Sequence, residues 1–130
     1  MIARPKNRSR VVVVDSKPND YANLLADKAF GETDFQFFDQ GRKVLRYAPE
    51  KDPQLCVINM NLPDMNGLDL YHMVASRWPD TPVYLVGDDY RPEDEINARV
   101  SGATFYFCKP LQSEWLAAAT RTSETDLLNV

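Results

Sequence analysis

Cysteine and histidine are scarce in this chain of 130 residues. It contains two cysteines, Cys56 and Cys108, and one histidine, His72. The cysteines fall in separate apolar segments without the spacing of a metal site, whereas small domains held together by disulfides or zinc carry several closely spaced ones. We therefore expect two unpaired thiols in a reducing compartment, and a surface position for His72.

Long apolar runs are also missing. A membrane-spanning helix needs about 20 consecutive apolar residues, and no run approaches that length. The basic start of the chain is followed only by the four valines of residues 11–14, which are too few for the apolar region of a signal peptide. The expectation is a cytoplasmic protein without membrane contact.

Positive charge is not in excess. The 15 Lys and Arg residues against 19 Asp and Glu give a net charge of −4, and the pI is about 4.9. This balance argues against a broad surface for nucleic acid, so direct nucleic-acid binding is not expected. A Gly-rich phosphate loop and a Ser/His/Asp or Cys/His set are missing as well, so no motif supports an enzyme.

What the sequence does contain is five apolar segments that alternate with amphipathic ones. Residues 11–14 form a continuous β-branched run, which is typical of a strand buried on both faces of a parallel sheet. After it, Tyr21, Leu24, Leu25 and Lys28 recur at the spacing of a single helix that ends near Gly31. The predicted strands are RVVVVD, TDFQFFD, QLCVIN, PVYLVG and ATFYFC. The predicted later helices are GRKVLRYA, LDLYHMVASRW, RPEDEINARVSG and QSEWLAAATR.

This alternation predicts one α/β domain over residues 10–122, built on a doubly wound five-stranded parallel sheet with helices on both faces. Residues 1–9 are expected to form a basic tail. Residues 123–130 are expected to be the end of the last helix or a second tail.

An amide stands at the end of the third predicted strand, in the stretch CVINMNLPDMNGLDL. The carboxyl ends of parallel strands border the crevice in which α/β proteins bind ligands, so Asn59 is a candidate site residue. A carboxylate at this place could act as a nucleophile or a metal ligand. A carboxamide has nearly the same shape but carries no charge and is not a nucleophile.

Several landmarks in order resemble the receiver domain of bacterial two-component response regulators, over roughly residues 10–122. They are the VVVVD strand, the LPDMNG turn, the PVYLVG strand and GATFYFCKP. The resemblance implies a flavodoxin-like sheet with strand order 2-1-3-4-5, and a role in two-component signal transduction or a phosphorelay.

The resemblance also implies a phosphorylation pocket, which this sequence keeps only in part. In the family an acidic pair follows strand one, an aspartate nucleophile ends strand three, a hydroxyl follows strand four and a lysine follows strand five. The matching residues here are Asp15 with Ser16, then Asn59, Gly87 and Lys109. Asn59 cannot attack a phosphoryl group, and Gly87 offers it no side-chain donor.

These departures predict an atypical receiver that is not an enzyme and does not form an aspartyl phosphate. Asp15 is the only acidic ligand position retained, and Mg²⁺ affinity depends on carboxylate number. We expect no cofactor beyond weak Mg²⁺, and a mutual balance of charge between Asp15 and Lys109. Asp88, next to Gly87, is expected to be solvated in its loop.

Function is then expected to lie on the surface that receivers of this type use for partners. The candidate residues are Tyr90, Arg91, Arg99, Tyr106 at the family's aromatic switch position, and Trp115. The partner would be a histidine kinase or a downstream regulator, and a homodimer is an alternative. Two other functions stay open. One is a phosphorylatable receiver with unusual Mg²⁺ ligands, and the other is a flavodoxin-like module that binds a small molecule.

Overall fold

Five parallel strands form the centre of the fold in the computed structural model, which describes residues 9–116. The strands are β1 (Arg10–Val14), β2 (Asp34–Phe38), β3 (Leu55–Asn59), β4 (Val83–Gly87) and β5 (Phe105–Cys108). Their order in the sheet is β2-β1-β3-β4-β5, and all four pairings are parallel. The five predicted strands and their order are confirmed. Of the predicted tails, residues 1–8 and 123–130 lie outside the described residues.

Short helices connect the strands. They are α1 (Ala22–Ala26), α2 (Gly41–Arg46), α3 (Gly67–Arg77) and α4 (Pro92–Ser101), together with 3₁₀ turns at Pro18–Tyr21 and Lys28–Phe30. Residues 113–116 are helical and begin the predicted last helix. No helix among the described residues is long and apolar enough to cross a membrane.

The prediction of one continuous first helix was wrong. Asp27 has an extended backbone, with φ −77° and ψ 128°, and its side chain accepts a hydrogen bond from the N–H of Ala29. Asp27 therefore ends α1 and begins a separate 3₁₀ turn, because its carboxylate offers the backbone an alternative to the helical hydrogen bond. As a result Leu25, which was expected on the apolar face, is 53% exposed.

Apolar side chains cover both faces of the sheet, as predicted for a doubly wound fold. On one face Val12, Ile58 and Leu85 pack against Leu70 and Val74 of α3. On the other face lie Val11, Val13, Val57, Tyr84 and Val86, together with Tyr21, Leu24 and Leu116. Every residue of β3 and β4 is buried, so the carboxyl ends of the central strands are held rigidly at one edge of the sheet. Cys56 and Cys108 are both free thiols.

Helix α2 is only six residues long and is held at both ends by side chains from other segments. Gln40, at its N-cap position, makes no side-chain hydrogen bond to the helix. The Asp64 carboxylate instead accepts hydrogen bonds from the N–H groups of Gly41 and Arg42, both at 2.9 Å. At the other end the Arg77 guanidinium donates to the carbonyls of residues 44, 45 and 47. The loop after β3 and helix α3 therefore fix the position of α2.

Asp64→Ala is expected to lower the free energy of unfolding by about 1 kcal/mol, the usual cost of losing an N-terminal cap. Burial opposes ionisation of Asp64, but the hydrogen bonds from Arg42 and Gly41 outweigh it and hold the pKa of the carboxyl below its ordinary value. A lowered pKa stabilises the fold above the ordinary pKa of aspartate, and this contribution is lost as the pH falls through the folded-state value. Urea unfolding at pH 7 and in acid measures both effects.

The control for this cap is Asp69→Ala, which removes an exposed carboxylate from the first turn of α3. It is expected to cost less than Asp64→Ala, since that carboxylate interacts only with the helix dipole. Equal losses for the two variants would show that Asp64 acts through its charge alone and not as a cap.

Candidate functional site

Asp15 follows β1 and is the most deeply buried carboxylate at the carboxyl ends of the strands, with 1% of its surface exposed. One oxygen, Oδ1, accepts the N–H of Lys17 at 2.9 Å. The other oxygen, Oδ2, accepts the Tyr21 hydroxyl at 2.8 Å, the Asn59 amide at 3.0 Å and the Lys109 ammonium at 2.9 Å. A buried charge is tolerated when it is paired and hydrogen-bonded, and Asp15 meets both conditions.

Asn59 ends β3 and uses its amide as a double donor. Its Nδ2 donates to Asp15 Oδ2 and to Asp88 Oδ1, each at 3.0 Å, while its Oδ1 accepts the N–H of Asn61 at 2.8 Å. Gly67 follows closely, because a Cβ there would lie 2.0 Å from the carbonyl oxygen of Asn59. The amide is therefore matched to its surroundings, since an ionised carboxylate at this place could donate to neither aspartate.

Lys109 follows β5 and points back into the same pocket, where its side chain is 11% exposed. Its Nζ lies 2.9 Å from Asp15 Oδ2, 2.8 Å from Asp20 Oδ2 and 2.8 Å from Asp88 Oδ1. Burial by itself lowers the pKa of Lys109, but the hydrogen bonds to Asp20, Asp88 and Asp15 more than offset it, and the pKa is raised. All three N–H donors of the ammonium group thus have carboxylate partners.

The expectation that Asp88 is solvated was wrong. Asp88 directly follows β4 and turns into the crevice, where Asn59 and Lys109 donate to its Oδ1 and Lys17 Nζ lies 3.6 Å from its Oδ2. Burial raises the pKa of Asp88, but the hydrogen bonds from Lys109 and Asn59 outweigh it and lower the pKa overall. The signal for this residue was its place immediately after a central strand, at the same edge as Asp15.

The predicted balance of one carboxylate against one lysine was also wrong, because three carboxylates surround Lys109. Asp20 was missed by the sequence reasoning. It lies in the 3₁₀ turn Pro18–Tyr21, and only the three-dimensional path of that turn brings it to Lys109. Ser16, the other half of the predicted acidic position, is exposed.

A divalent cation does not fit this arrangement. Metal ligation requires free oxygen lone pairs, yet Asp15 already accepts four hydrogen bonds. Asn59 directs its NH₂ group, not its oxygen, at Asp15 and Asp88. The space among the three carboxylates holds the Lys109 ammonium. The chain's own cation thus takes the place that hard-ion ligands would otherwise surround.

Gly87, at the hydroxyl position implied by the resemblance, lies beneath the ring of Tyr106. A Cβ on Gly87 would come within 2.5 Å of the Tyr106 hydroxyl oxygen. Tyr106 itself is half-buried and lines a groove of about 330 Å³ between α4 and β5, together with Ala98, Arg99 and Phe105. The structure therefore brings Gly87 and Tyr106 into direct contact next to the ion-pair pocket.

The predicted partner surface divides at the edge strand β5. Tyr90 and Arg99 both contact Glu95 of α4, and Arg91 immediately precedes that helix, on the side of the sheet where Tyr106 packs. Trp115 lies on the other side and stacks on Phe107, with ring centroids 4.2 Å apart. The five candidates therefore do not form one cluster, since residues 106 and 107 point to opposite faces of the sheet.

The chain belongs to the family of response regulator receiver domains, whose family model matches residues 11–121. It is 34% identical over 109 residues to the probable transcriptional regulatory protein TcrX of Mycobacterium tuberculosis, which covers 80% of this chain and 44% of that protein. It is 26% identical over 121 residues to the transcriptional regulatory protein BaeR of Escherichia coli, which covers 90% of this chain and 48% of that protein. The chain thus spans less than half the length of these curated relatives.

Solved structures agree on the fold. A CheY-like response regulator receiver domain protein from Methanospirillum hungatei superposes with a TM-score of 0.75 at 18% identity, over 91% of this chain and 94% of that one. This likeness and the family match establish a flavodoxin-like receiver domain of two-component signalling. They confirm the fold and the family that the sequence predicted.

Proposed function

We propose that this domain is an atypical receiver that works in two-component signalling without an aspartyl phosphate, by contact with other proteins and not by catalysis. The observation that carries the proposal is the double donation from the Asn59 amide to Asp15 and Asp88. In a phosphorylatable pocket this position holds the attacking carboxylate, whereas here it supplies the donors that keep two other carboxylates together.

The rest of the pocket supports the same proposal. Lys109 would have to leave three carboxylates in order to bind a phosphoryl oxygen. Next to Gly87, the space that a side-chain hydroxyl would need is taken by Tyr106. Phosphoryl transfer depends on a nucleophile, a metal and placed donors acting together, and none of the three is provided here.

Asp88 favours a second candidate, a phosphorylatable receiver with unusual ligands. Its side chain is one-third exposed, and its Oδ2 has Lys17 as a partner only at 3.6 Å. By contrast, both oxygens of Asp64 are engaged by the backbone of α2, and Asp15 is buried. Of the carboxylates that the sequence marked near the pocket, Asp88 is the one a phosphodonor could reach.

The proposed partner is a histidine kinase or a downstream regulator, and the proposed contact surface is the side formed by α4 and β5. Three large apolar side chains are exposed there, namely Ile96, Val100 and Phe105. Adjacent exposed apolar groups of this kind are typical of a surface for proteins. The net charge of −4 supports a protein partner over nucleic acid for this part of the molecule.

Incubation with acetyl phosphate and Mg²⁺ is expected to leave the intact mass of the chain unchanged, because Asn59 offers no nucleophile. Intact-mass spectrometry measures the result, and a receiver with its aspartate nucleophile, treated in parallel, shows that the phosphodonor is active. Amide NMR spectra recorded during a Mg²⁺ titration are expected to show no saturable shift at Asp15, Asp20 or Asp88.

A hydroxylamine-sensitive mass increase of one phosphate would contradict the proposal. If peptide mapping then placed the label on Asp88, and Asp88→Asn abolished it, the second candidate would replace the first. A saturable Mg²⁺ shift below about 1 mM, an affinity that dedicated cation sites reach, would point the same way.

A further inference from the structure

The contact between Gly87 and Tyr106 has a steric cause. A Cβ built on Gly87 would lie 2.5 Å from the Tyr106 hydroxyl oxygen and 3.3 Å from Cζ of the ring, and 2.9 Å from the carbonyl oxygen of Asp89. Among the described residues the only glycine with a positive φ is Gly102. Backbone conformation therefore does not require glycine at position 87, and the space taken by its neighbours does.

The position of the Tyr106 ring also decides the shape of the groove between α4 and β5. The ring packs against the apolar layer that includes α3 and α4, and its hydroxyl lies 3.5 Å from the sulfur of Cys108. Burial, followed by the contact with Cys108, raises the pKa of Tyr106, so the hydroxyl is neutral in the physiological range. Its outer edge forms one wall of the groove. If the ring swung out toward solvent, that wall would be lost and Cys108 would be uncovered.

We infer that Gly87 and Tyr106 form a steric lock, in which the missing side chain at position 87 holds the Tyr106 ring inward and keeps the α4–β5 groove in one shape. The lock is built into the sequence and does not depend on the state of the ion-pair pocket. It therefore goes beyond the proposed function, because it would fix the partner surface whether or not the pocket can be phosphorylated. Any side chain at position 87 would compete with the ring for the same space.

The test introduces a single methyl group with Gly87→Ala in the full chain. Incorporated fluorotyrosine, with the Tyr106 resonance assigned by Tyr106→Phe, reports the ring by ¹⁹F NMR. The Tyr106 resonance is expected to move toward the position of free fluorotyrosine. Alkylation of Cys108 is expected to become several-fold faster, whereas buried Cys56 is expected to stay unreactive.

Two further variants separate the lock from a general effect of the methyl group. Gly31→Ala is the matched control, because the nearest atom to its Cβ lies at an ordinary 3.4 Å; it is expected to leave Tyr106 and Cys108 unchanged. In a Tyr106→Ala background, Cys108 is already uncovered, and Gly87→Ala is expected to cause no further increase in alkylation.

The inference is overturned if folded Gly87→Ala keeps the original Tyr106 resonance and Cys108 rate, or if it speeds alkylation equally in the Tyr106→Ala background. If Gly87→Ala alone does not fold, the double variant decides. Recovery of folding with Tyr106→Ala, followed by circular dichroism, supports the lock. Failure to recover means that the Asp89 carbonyl, and not the ring, excludes a side chain at position 87.

Discussion

Lys109→Met is expected to lower the free energy of unfolding at pH 7 by about 3–5 kcal/mol, the usual cost of removing one partner from a buried ion pair. The loss leaves Asp15, which is 1% exposed, without its cation and in the neighbourhood of Asp20 and Asp88. Methionine fills a similar volume, so the effect is mainly electrostatic. Urea unfolding, with the slope compared between variants, measures the change.

The pH dependence gives a second reading of the same variant. The pKa of Lys109 is raised in the fold, so the lysine stabilises the native state fully below its ordinary pKa and loses that contribution only as the pH rises through the folded-state value. The deficit of Lys109→Met is therefore expected throughout the neutral range. It is expected to shrink in acid, where the three carboxylates become protonated and no longer repel one another.

Lys17→Met is the matched control, since it removes another lysine that faces Asp88. Its Nζ lies 3.6 Å from Asp88 Oδ2 and its side chain is 61% exposed. Exposed pairs of this kind contribute about 0–1 kcal/mol. Similar losses for Lys17→Met and Lys109→Met would mean that the cluster behaves as a solvated surface network.

Asn59→Asp is expected to cost about 3 kcal/mol at pH 7, because it removes the hydrogen bonds to Asp15 and Asp88 and adds a third charge beside them. Repulsion from both aspartates raises the pKa of the new carboxyl. A raised carboxyl pKa means that the variant keeps its stability below the ordinary aspartate pKa and loses it as the pH rises through the folded-state value. Unfolding measured across this range tests both the size and the sign.

Asn61→Asp provides the comparison, because it makes the same chemical change two residues away at an exposed position. Exposed substitutions of this kind usually change stability by less than about 0.5 kcal/mol. If Asn59→Asp were as stable as the parent at pH 7, the amide would not be what holds Asp15 and Asp88 together. The proposal for the pocket would then lose its main support.

The strands and three of the pocket residues could be predicted because both follow from simple rules. Continuous β-branched runs mark buried parallel strands, and the ends of those strands place Asp15, Asn59 and Lys109 at one edge of the sheet. These positions depend on the sheet alone. Once the sheet is correct, the side chains that end its strands are brought together without further information.

The residues that were missed lie in turns. Neither Asp20 nor Asp88 shows a periodic pattern, and the direction of each side chain depends on the local backbone path after β1 and β4. Asp27 interrupted the first helix for the same reason, because a hydrogen bond from its carboxylate to the backbone competes with helix propensity. Trp115 was placed with Tyr106 because both belong to the edge of the domain, although alternation along β5 and stacking on Phe107 put them on opposite sides.

The Lys109 cluster also has a consequence for how the fold comes apart. The contact between Lys109 and Asp20 joins residues that are 89 positions apart in the chain, and the other partners of Lys109 come from the ends of β1 and β4. Such a contact can form only after β1, β4 and β5 have assembled, so it is expected to be absent from the transition state for folding. Interactions of this kind mainly slow unfolding. Lys109 therefore acts as a kinetic latch on the finished sheet, and its removal should steepen the loss of native protein over time while refolding stays almost as fast.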